Sequence, residues 1–167
     1  VGKRKLAEDA IYLERDLCKE SGGWQDQVAA AFGGLNRIDF ENNQFKVSPI
    51  IIHPEKKRML DKNLMLFYTG VSRFSAEIQK DTMSNQQDKI SQLKEMLGLV
   101  NTAQTILEDK HSDLNDFGRL LDHTWRLKRG TGNKVSNGSI DTLYEKGLKA
   151  GALGGKLLGA GGGGFLL

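Results

Sequence analysis

The chain has 167 residues, 24 lysines and arginines against 21 aspartates and glutamates, 38% hydrophobic residues, and 20 glycines against 2 prolines. That length suits one domain or two small ones with an ordinary apolar core. It excludes a disordered, collagenous or disulfide-framed chain, because charge is balanced, glycine is not periodic and Cys18 has no second cysteine to bridge. A net charge of +3, dispersed and without a basic run interleaved with aromatics, gives no footing for a nucleic-acid partner.

Residues 3–18 read as one amphipathic helix, with Leu6, Ala10, Leu13 and Leu17 as its apolar stripe. Cys18, following that face, reads as a buried, inert thiol. Ser21-Gly22-Gly23 is a turn, and Asp26 then stands before the alanine-rich run Gln27–Phe32, a short helix closed by Gly33-Gly34. Strands follow over 35–40 and 45–52 about the polar turn Glu41-Asn42-Asn43-Gln44. Pro54 and the charged segment through Lys62 mark the internal boundary, separating residues 1–53 from 54–167; within it, Lys56-Lys57-Arg58 reads as a solvated turn.

Beyond the boundary, Leu64–Thr69 is a strand and residues 73–80 and 84–108 are helices, the second with Ile90, Leu93, Leu97, Val100 and Ile106 as its buried stripe. Leu114, Phe117, Leu121 and Trp125 carry a helix over 112–128. After a loop of Gly, Asn and Ser comes a helix over 139–149, with Ile140, Leu143, Tyr144 and Leu148 on one face and Gly151 at its end. A strand starts at Phe165. The order of elements is that of an α+β fold. The longest apolar stretches, Ile50-Ile51-Ile52 and Leu64–Tyr68, fall far below the roughly 20 residues of a membrane helix. The basic start, Val1–Leu6, lacks the apolar core of a signal peptide. With its single cysteine, the expectation is a soluble, cytoplasmic protein with no membrane partner.

Eight of the 20 glycines lie in residues 151–167. Gly159-Ala160-Gly161-Gly162-Gly163-Gly164 contains G-x-G-x-x-G, but a dinucleotide fingerprint needs a following helix and an acidic residue about 20 positions on, and only three residues follow. No Gly-Lys-Ser/Thr closes the run as a Walker A loop requires. What remains is a backbone without side chains, able to approach a phosphate or another loop closely. A flexible linker is the alternative, opposed by the apolar flanks Leu157-Leu158 and Phe165-Leu166-Leu167.

Asp26, placed by Gly22-Gly23 at a helix start, is either an N-cap or a carboxylate held beside a ligand to accept a hydroxyl proton. Glu14 is either a solvated glutamate or an oxygen ligand for Mg²⁺ beside a phosphate. His53, His111 and His123 have no ligand spacing, which argues against zinc.

The segment Gly151-Ala152-Leu153-Gly154-Gly155-Lys156-Leu157-Leu158-Gly159-Ala160-Gly161-Gly162-Gly163-Gly164 resembles the third motif of the GHMP small-molecule kinases, Gly-Ala-x-Gly-Ala-Lys-x-x-Gly-Ala-Gly-x-Gly-Gly. Trp24-Gln25-Asp26-Gln27 with Ala29–Gly34, Leu66–Gly70 with Arg73, and Trp125–Lys128 are most similar to the branch of D-glycero-D-manno-heptose 7-phosphate kinases. The resemblance implies a fold in which residues 1–53 complete an N-terminal S5-like domain and residues 54–167 form a ferredoxin-like C-terminal domain.

It further implies an ATP- and Mg²⁺-dependent transfer to the C1 hydroxyl of a sugar phosphate. Asp26 would be the catalytic base, and Gly22, Gly23, Trp24, Gln27 and Arg73 the sugar contacts. Glu14 would be the metal ligand, with Gly159, Ala160, Gly161, Gly162 and Gly163 supporting the phosphate loop. Arg37, Arg73 and Lys128 are the basic candidates for a substrate phosphate, and a homodimer is the oligomer to test. The family's ATP loop, Pro-x-x-x-Gly-Leu-Gly-Ser-Ser, does not occur in these residues, so the chain is expected to be the C-terminal part of a longer kinase and inactive alone. A fucose or galactose kinase and a non-catalytic sugar sensor of the same fold are the alternatives.

Overall fold

The computed structural model describes residues 1–20, 22–71 and 86–167; the expected helix over 73–80 and Arg73 lie outside the described residues. The chain divides into two compact units, Val1–Ile51 and Ile52–Leu167. No helix among the described residues is long and apolar enough to cross a membrane.

The first unit comprises α1 (Lys3–Tyr12), a π-helical turn continuing it (Leu13–Leu17), α2 (Gln25–Phe32) and an antiparallel hairpin of β1 (Asn36–Glu41) and β2 (Gln44–Pro49). Glu41 pairs with Gln44 across Asn42-Asn43, both left-handed at φ 49° and 57°. Asparagine tolerates that conformation, and a two-residue turn of this hand matches the twist of the strands. Ala7, Val28 and Phe45 are the buried centre, with Ile11, Phe32, Ile38 and Val47 packed around them.

The expected stripe of α1 does not face this core: Leu6, Leu13 and Leu17 are 52%, 56% and 58% exposed. The buried face is Ala7 and Ile11, four residues apart. Charged residues fix that rotation. Arg4 lies 4.6 Å over the Phe45 ring and donates to the Phe45 carbonyl at 2.9 Å, while Lys3 Nζ reaches the Phe32 carbonyl at the end of α2, 2.6 Å away. Cys18 is exposed, not buried. Its N–H bonds to the Leu13 carbonyl five residues back at 2.9 Å, and that wider turn breaks the 3.6-residue repeat on which burial was expected.

The second unit begins with α3 (Pro54–Asn63), in which the expected solvated turn is helical, Pro54 taking the first position where its missing N–H is harmless. Lys57 pairs with Asp61 in solvent at 2.7 Å. Lys56 is only 6% exposed. Its ammonium donates to the carbonyls of Ile106, in the last turn of α4 (Gln86–Glu108), and of Asp109 (2.6 Å) and Ser112 (3.0 Å) in the segment that follows. A helix ends in unbonded carbonyls with partial negative charge, and a lysine satisfies both. Asp109, held below the usual carboxylate range by the His111 N–H and the Ser112 hydroxyl, shapes the same turn.

On α4 the expected stripe is again one step off. Ile90, Leu93, Leu97 and Val100 are 40–66% exposed, and only Ile106 is buried. The shielded face runs through Gln92, Met96, Leu99, Ala103 and Ile106. Glu95 pairs with His123 of α5 (Asn115–Arg129) at 2.8 Å and Lys89 donates to the Thr131 carbonyl just beyond α5, contacts that accompany this rotation.

The core of this unit is Trp125 from α5, Val135, Ile140 and Tyr144 from α6 (Gly138–Lys149), Leu157, and Leu166 from β4 (Phe165–Leu166). Asn137 caps α6, its side chain accepting from the N–H groups of Ser139 and Ile140. Gly151 ends it at φ 104°, with Gly151 N–H on Leu148 and Ala152 N–H on Gly147, a Schellman arrangement. The expected strand over 64–69 shrinks to β3 (Phe67–Tyr68), antiparallel to β4. On the other side Leu157 bridges Leu166, so the β4 backbone is paired on both edges.

Lys56→Met should therefore remove a donor from three carbonyls at and just beyond the end of α4, of which Asp109 keeps the Ser112 N–H at 3.3 Å. A loss of about 1–3 kcal/mol in unfolding free energy is expected, read as a lower urea midpoint at unchanged slope.

Candidate functional site

The residues singled out from sequence fall in two places, one in each unit. In the first unit, Asp26 is the second residue of α2 and is exposed. It is not the N-cap: that position is Trp24, and no side chain caps the helix. Asp26 therefore stands in a first turn whose N–H groups favour an anion, with its oxygens open to solvent. Trp24 packs edge-on to Phe40 with ring centres 6.4 Å apart and lies against the core, so it forms a wall beside this helix start.

Glu14 projects from the π-helical turn, and Gln27 Nε2 donates to its Oε2. The Gly22 α-carbon faces the other carboxylate oxygen, at 4.0 Å from where a Cβ would sit, and the Gly22 carbonyl accepts from Arg15. Gly22, Glu14 and Gln27 thus converge. Gln27 Oε1 is buried without a hydrogen-bond partner, an orphaned acceptor whose desolvation is compensated only by a donor or a cation.

No group of three or more His, Cys, Asp or Glu able to hold a metal occurs among the described residues. Mg²⁺ takes one or two protein oxygens and completes its shell with water and phosphate. Glu14, with the amide oxygen of Gln27, is a hard-oxygen donor set of that kind, and the residues fit the ion.

In the second unit the glycine-rich segment is locked into the protein. A Cβ on Gly154 would lie 2.1 Å from the Gly118 carbonyl oxygen, and one on Gly161 2.8 Å from that of Val135. Gly162 N–H bonds to Val135 and Gly164 N–H to Val71, each at 2.8 Å. Much of the glycine excess serves close backbone contact, and two loop donors are used internally. An open depression lined by Val71, Asn137, Ser139 and Thr142 borders the segment at the start of α6.

Lys128, in the last turn of α5, donates to the Gly159 carbonyl and lies 3.4 Å from that of Leu157. Burial, and then the charge of Lys156, bring its pKa down to about 8; burial also lowers that of Lys156. Of the other basic candidates, Arg37 is paired with Asp39 at 2.8 Å and Arg73 lies outside the described residues. The sequence alone gives Lys156 no assigned role; its place between Gly155 and Leu157 inside the motif is the signal it offers.

Residues 103–167 match the sequence model of the family described as GHMP kinases C terminal. The chain is 29% identical over 171 residues to a D-glycero-alpha-D-manno-heptose 7-phosphate kinase of Campylobacter jejuni, covering 99% of this chain and 49% of that protein. It is likewise 29% identical to an L-fucokinase/L-fucose-1-P guanylyltransferase of Bacteroides fragilis, covering 98% of this chain and 18% of that one. The chain thus spans about half the length, or less, of these curated relatives. Its fold matches that of Leishmania major mevalonate kinase, solved with R-mevalonate, at a TM-score of 0.74 and 22% identity over 99% of this chain and 49% of that one.

Two outcomes follow for the second unit. Gly159→Ala meets nothing within 4 Å and is strained only by φ 68°, whereas Gly161→Ala adds a clash to φ 119°. The melting temperature should fall more for the second, by the equivalent of about 1–3 kcal/mol of overpacking. Lys128 binds fewer protons folded than unfolded between pH 8 and 10.5, so its contribution to stability rises with pH across that window. Lys128→Met should flatten that rise in urea unfolding at stepped pH.

Proposed function

We propose that this chain, whose residues 103–167 match the GHMP kinase C-terminal domain, is the C-terminal part of an ATP-dependent sugar kinase acting on the C1 hydroxyl of a heptose 7-phosphate. The observation carrying this reading is the open Asp26 carboxylate in the first turn of α2, next in sequence to a Gln27 that holds Glu14 and keeps a buried acceptor unfilled. Sugar-kinase relatives aligned along nearly the whole chain support it.

In this mechanism Asp26 accepts the proton of the C1 hydroxyl as its oxygen attacks the γ-phosphorus of ATP; the bond to ADP breaks and a sugar 1-phosphate results. Its exposure lets the substrate reach it. Gly22 and Gly23 bring the backbone close to the sugar, and Trp24 supplies a flat wall. Glu14 and Gln27 Oε1 would hold Mg²⁺, which when bound neutralises charge on the transferred phosphoryl group. A cytoplasmic location suits an enzyme that draws on ATP. A fucokinase is the second reading, favoured by the Bacteroides fragilis relative at the same identity.

Asp26→Asn in the full-length gene product should lower turnover about 10²–10⁴-fold, the range of a lost general base, with the circular-dichroism spectrum unchanged. A coupled ADP-release assay reads it, and turnover at the unsubstituted level would overturn the assignment.

A further inference from the structure

We infer that Lys128 is the positioning residue of the glycine-rich segment: its ammonium fixes the direction of the Gly159–Ala160 peptide, so that the Ala160 N–H is presented to a phosphate oxygen. Lys128 stands in the last turn of α5, donates to the Gly159 carbonyl and lies 3.4 Å from that of Leu157. It therefore grips the backbone on both sides of Leu158, whose own N–H bonds to the Phe165 carbonyl at 2.9 Å. The Gly159–Ala160 peptide is trans, and across a trans peptide the carbonyl and the following N–H point opposite ways. With the Gly159 carbonyl turned to α5, the Ala160 N–H is turned away from it.

No packing holds that direction. Gly159 is left-handed at φ 68°, and no atom lies within 4 Å of where its Cβ would sit. Farther along, Gly162 N–H bonds to Val135 and Gly164 N–H to Val71, each at 2.8 Å, so the far end of the segment is anchored to backbone. Among the described residues the Ala160 N–H has no acceptor. A backbone donor stabilises a phosphoryl oxygen best when its direction is set beforehand. The neighbouring cations of α5 are engaged elsewhere, Arg126 with Asp122 at 2.9 Å and Arg129 with Asp141 at 3.1 Å. A methionine in place of Lys128 would fill similar space without burying an ammonium, a cost visible in a pKa lowered to about 8 by burial and then by the charge of Lys156. What the ammonium adds is direction. The peptide geometry stands on these contacts; its use in phosphoryl transfer rests on the kinase reading.

The test is NMR of the 167-residue chain with isotope labels on glycine carbonyl carbons and alanine nitrogens, which together report only Gly151–Ala152 and Gly159–Ala160. Lys128→Met should shift the second signal and leave the first, whose N–H is held by the Gly147 carbonyl. Tripolyphosphate should shift the Ala160 signal saturably, with binding about tenfold weaker in Lys128→Met and recovered in Lys128→Arg. A larger shift with tripolyphosphate than with glucose 6-phosphate marks a nucleotide as the phosphate source, and the reverse order marks a sugar phosphate. An Ala160 signal unmoved by the substitution, or unmoved by both phosphates, overturns the proposal. If Lys128→Met does not fold, the unsubstituted chain decides: a scalar coupling across the hydrogen bond from Lys128 Nζ to the Gly159 carbonyl carbon must be present, and its absence overturns the assignment. In the full-length gene product, Lys128→Met should lower kcat for ADP release about 10- to 100-fold at unchanged sugar-phosphate KM, where a merely structural role would lower only the melting temperature. Turnover lost in Asp26→Asn but untouched in Lys128→Met removes the positioning role and keeps the kinase reading; the expected NMR shifts in a gene product without sugar turnover do the reverse.

Discussion

Backbone pressed against backbone governs the second unit. Gly154 sits on the Gly118 carbonyl, Gly155 on that of Leu167, Gly161 on Val135 and Gly163 on Val71, all at distances that no Cβ permits. These contacts bring residues 156–158 alongside Phe165–Leu167 and put Leu157 and Leu166 into one core with Trp125 and Tyr144. They also fix the segment beside the last turn of α5, and so place the Gly159 carbonyl within reach of Lys128. A single motif thereby builds the core, closes β4 on both edges and receives the Lys128 ammonium.

A second regularity is the use of lysine as a terminator of exposed backbone. Lys3 reaches the last carbonyl of α2, Lys56 three carbonyls around the end of α4, Lys89 the carbonyl of Thr131 beyond α5, and Lys128 those of Leu157 and Gly159. Positive charge meets the negative end of a helix or an unpaired carbonyl, so cations that look dispersed in sequence do specific work within each unit. Lys156 stands apart from this pattern: no carbonyl or carboxylate among the described residues receives it. Tyr144 illustrates the opposite polarity, its hydroxyl held protonated by burial and by the bond it donates to Asp122.

Features written into local sequence were legible. Asn137 before α6, Gly151 after it, Gly33 after α2 and the Asn42-Asn43 turn each carry their own conformational preference, and the element ends beside them lie within a residue or two of expectation, whereas β2 stops at Pro49, three residues short of its expected far end. The apolar faces were less so. On α1 and α4 two stripes one step apart are both apolar enough to bury, and the choice between them goes with tertiary contacts such as Arg4 on Phe45 and Glu95 on His123, which no periodicity reveals. The π-helical turn that carries Glu14 has no propensity signature. Lys56 looked like a solvated charge because its carbonyl partners lie 50 to 56 residues away. Around the candidate site, Asp26, Glu14 and Gln27 were each picked out by residue type and resemblance; the hydrogen bond joining Gln27 to Glu14 and the orphaned Gln27 oxygen needed three dimensions.

Under the proposed function, a protein containing this chain transfers phosphate to the anomeric oxygen of a sugar. Phosphorus NMR of the full-length gene product incubated with ATP, Mg²⁺ and D-glycero-D-manno-heptose 7-phosphate tests it most directly. A new resonance coupled to the anomeric proton, growing in step with ADP while the 7-phosphate signal persists, is expected. ADP formed with no anomeric phosphate, or a heptose left unchanged, would contradict it.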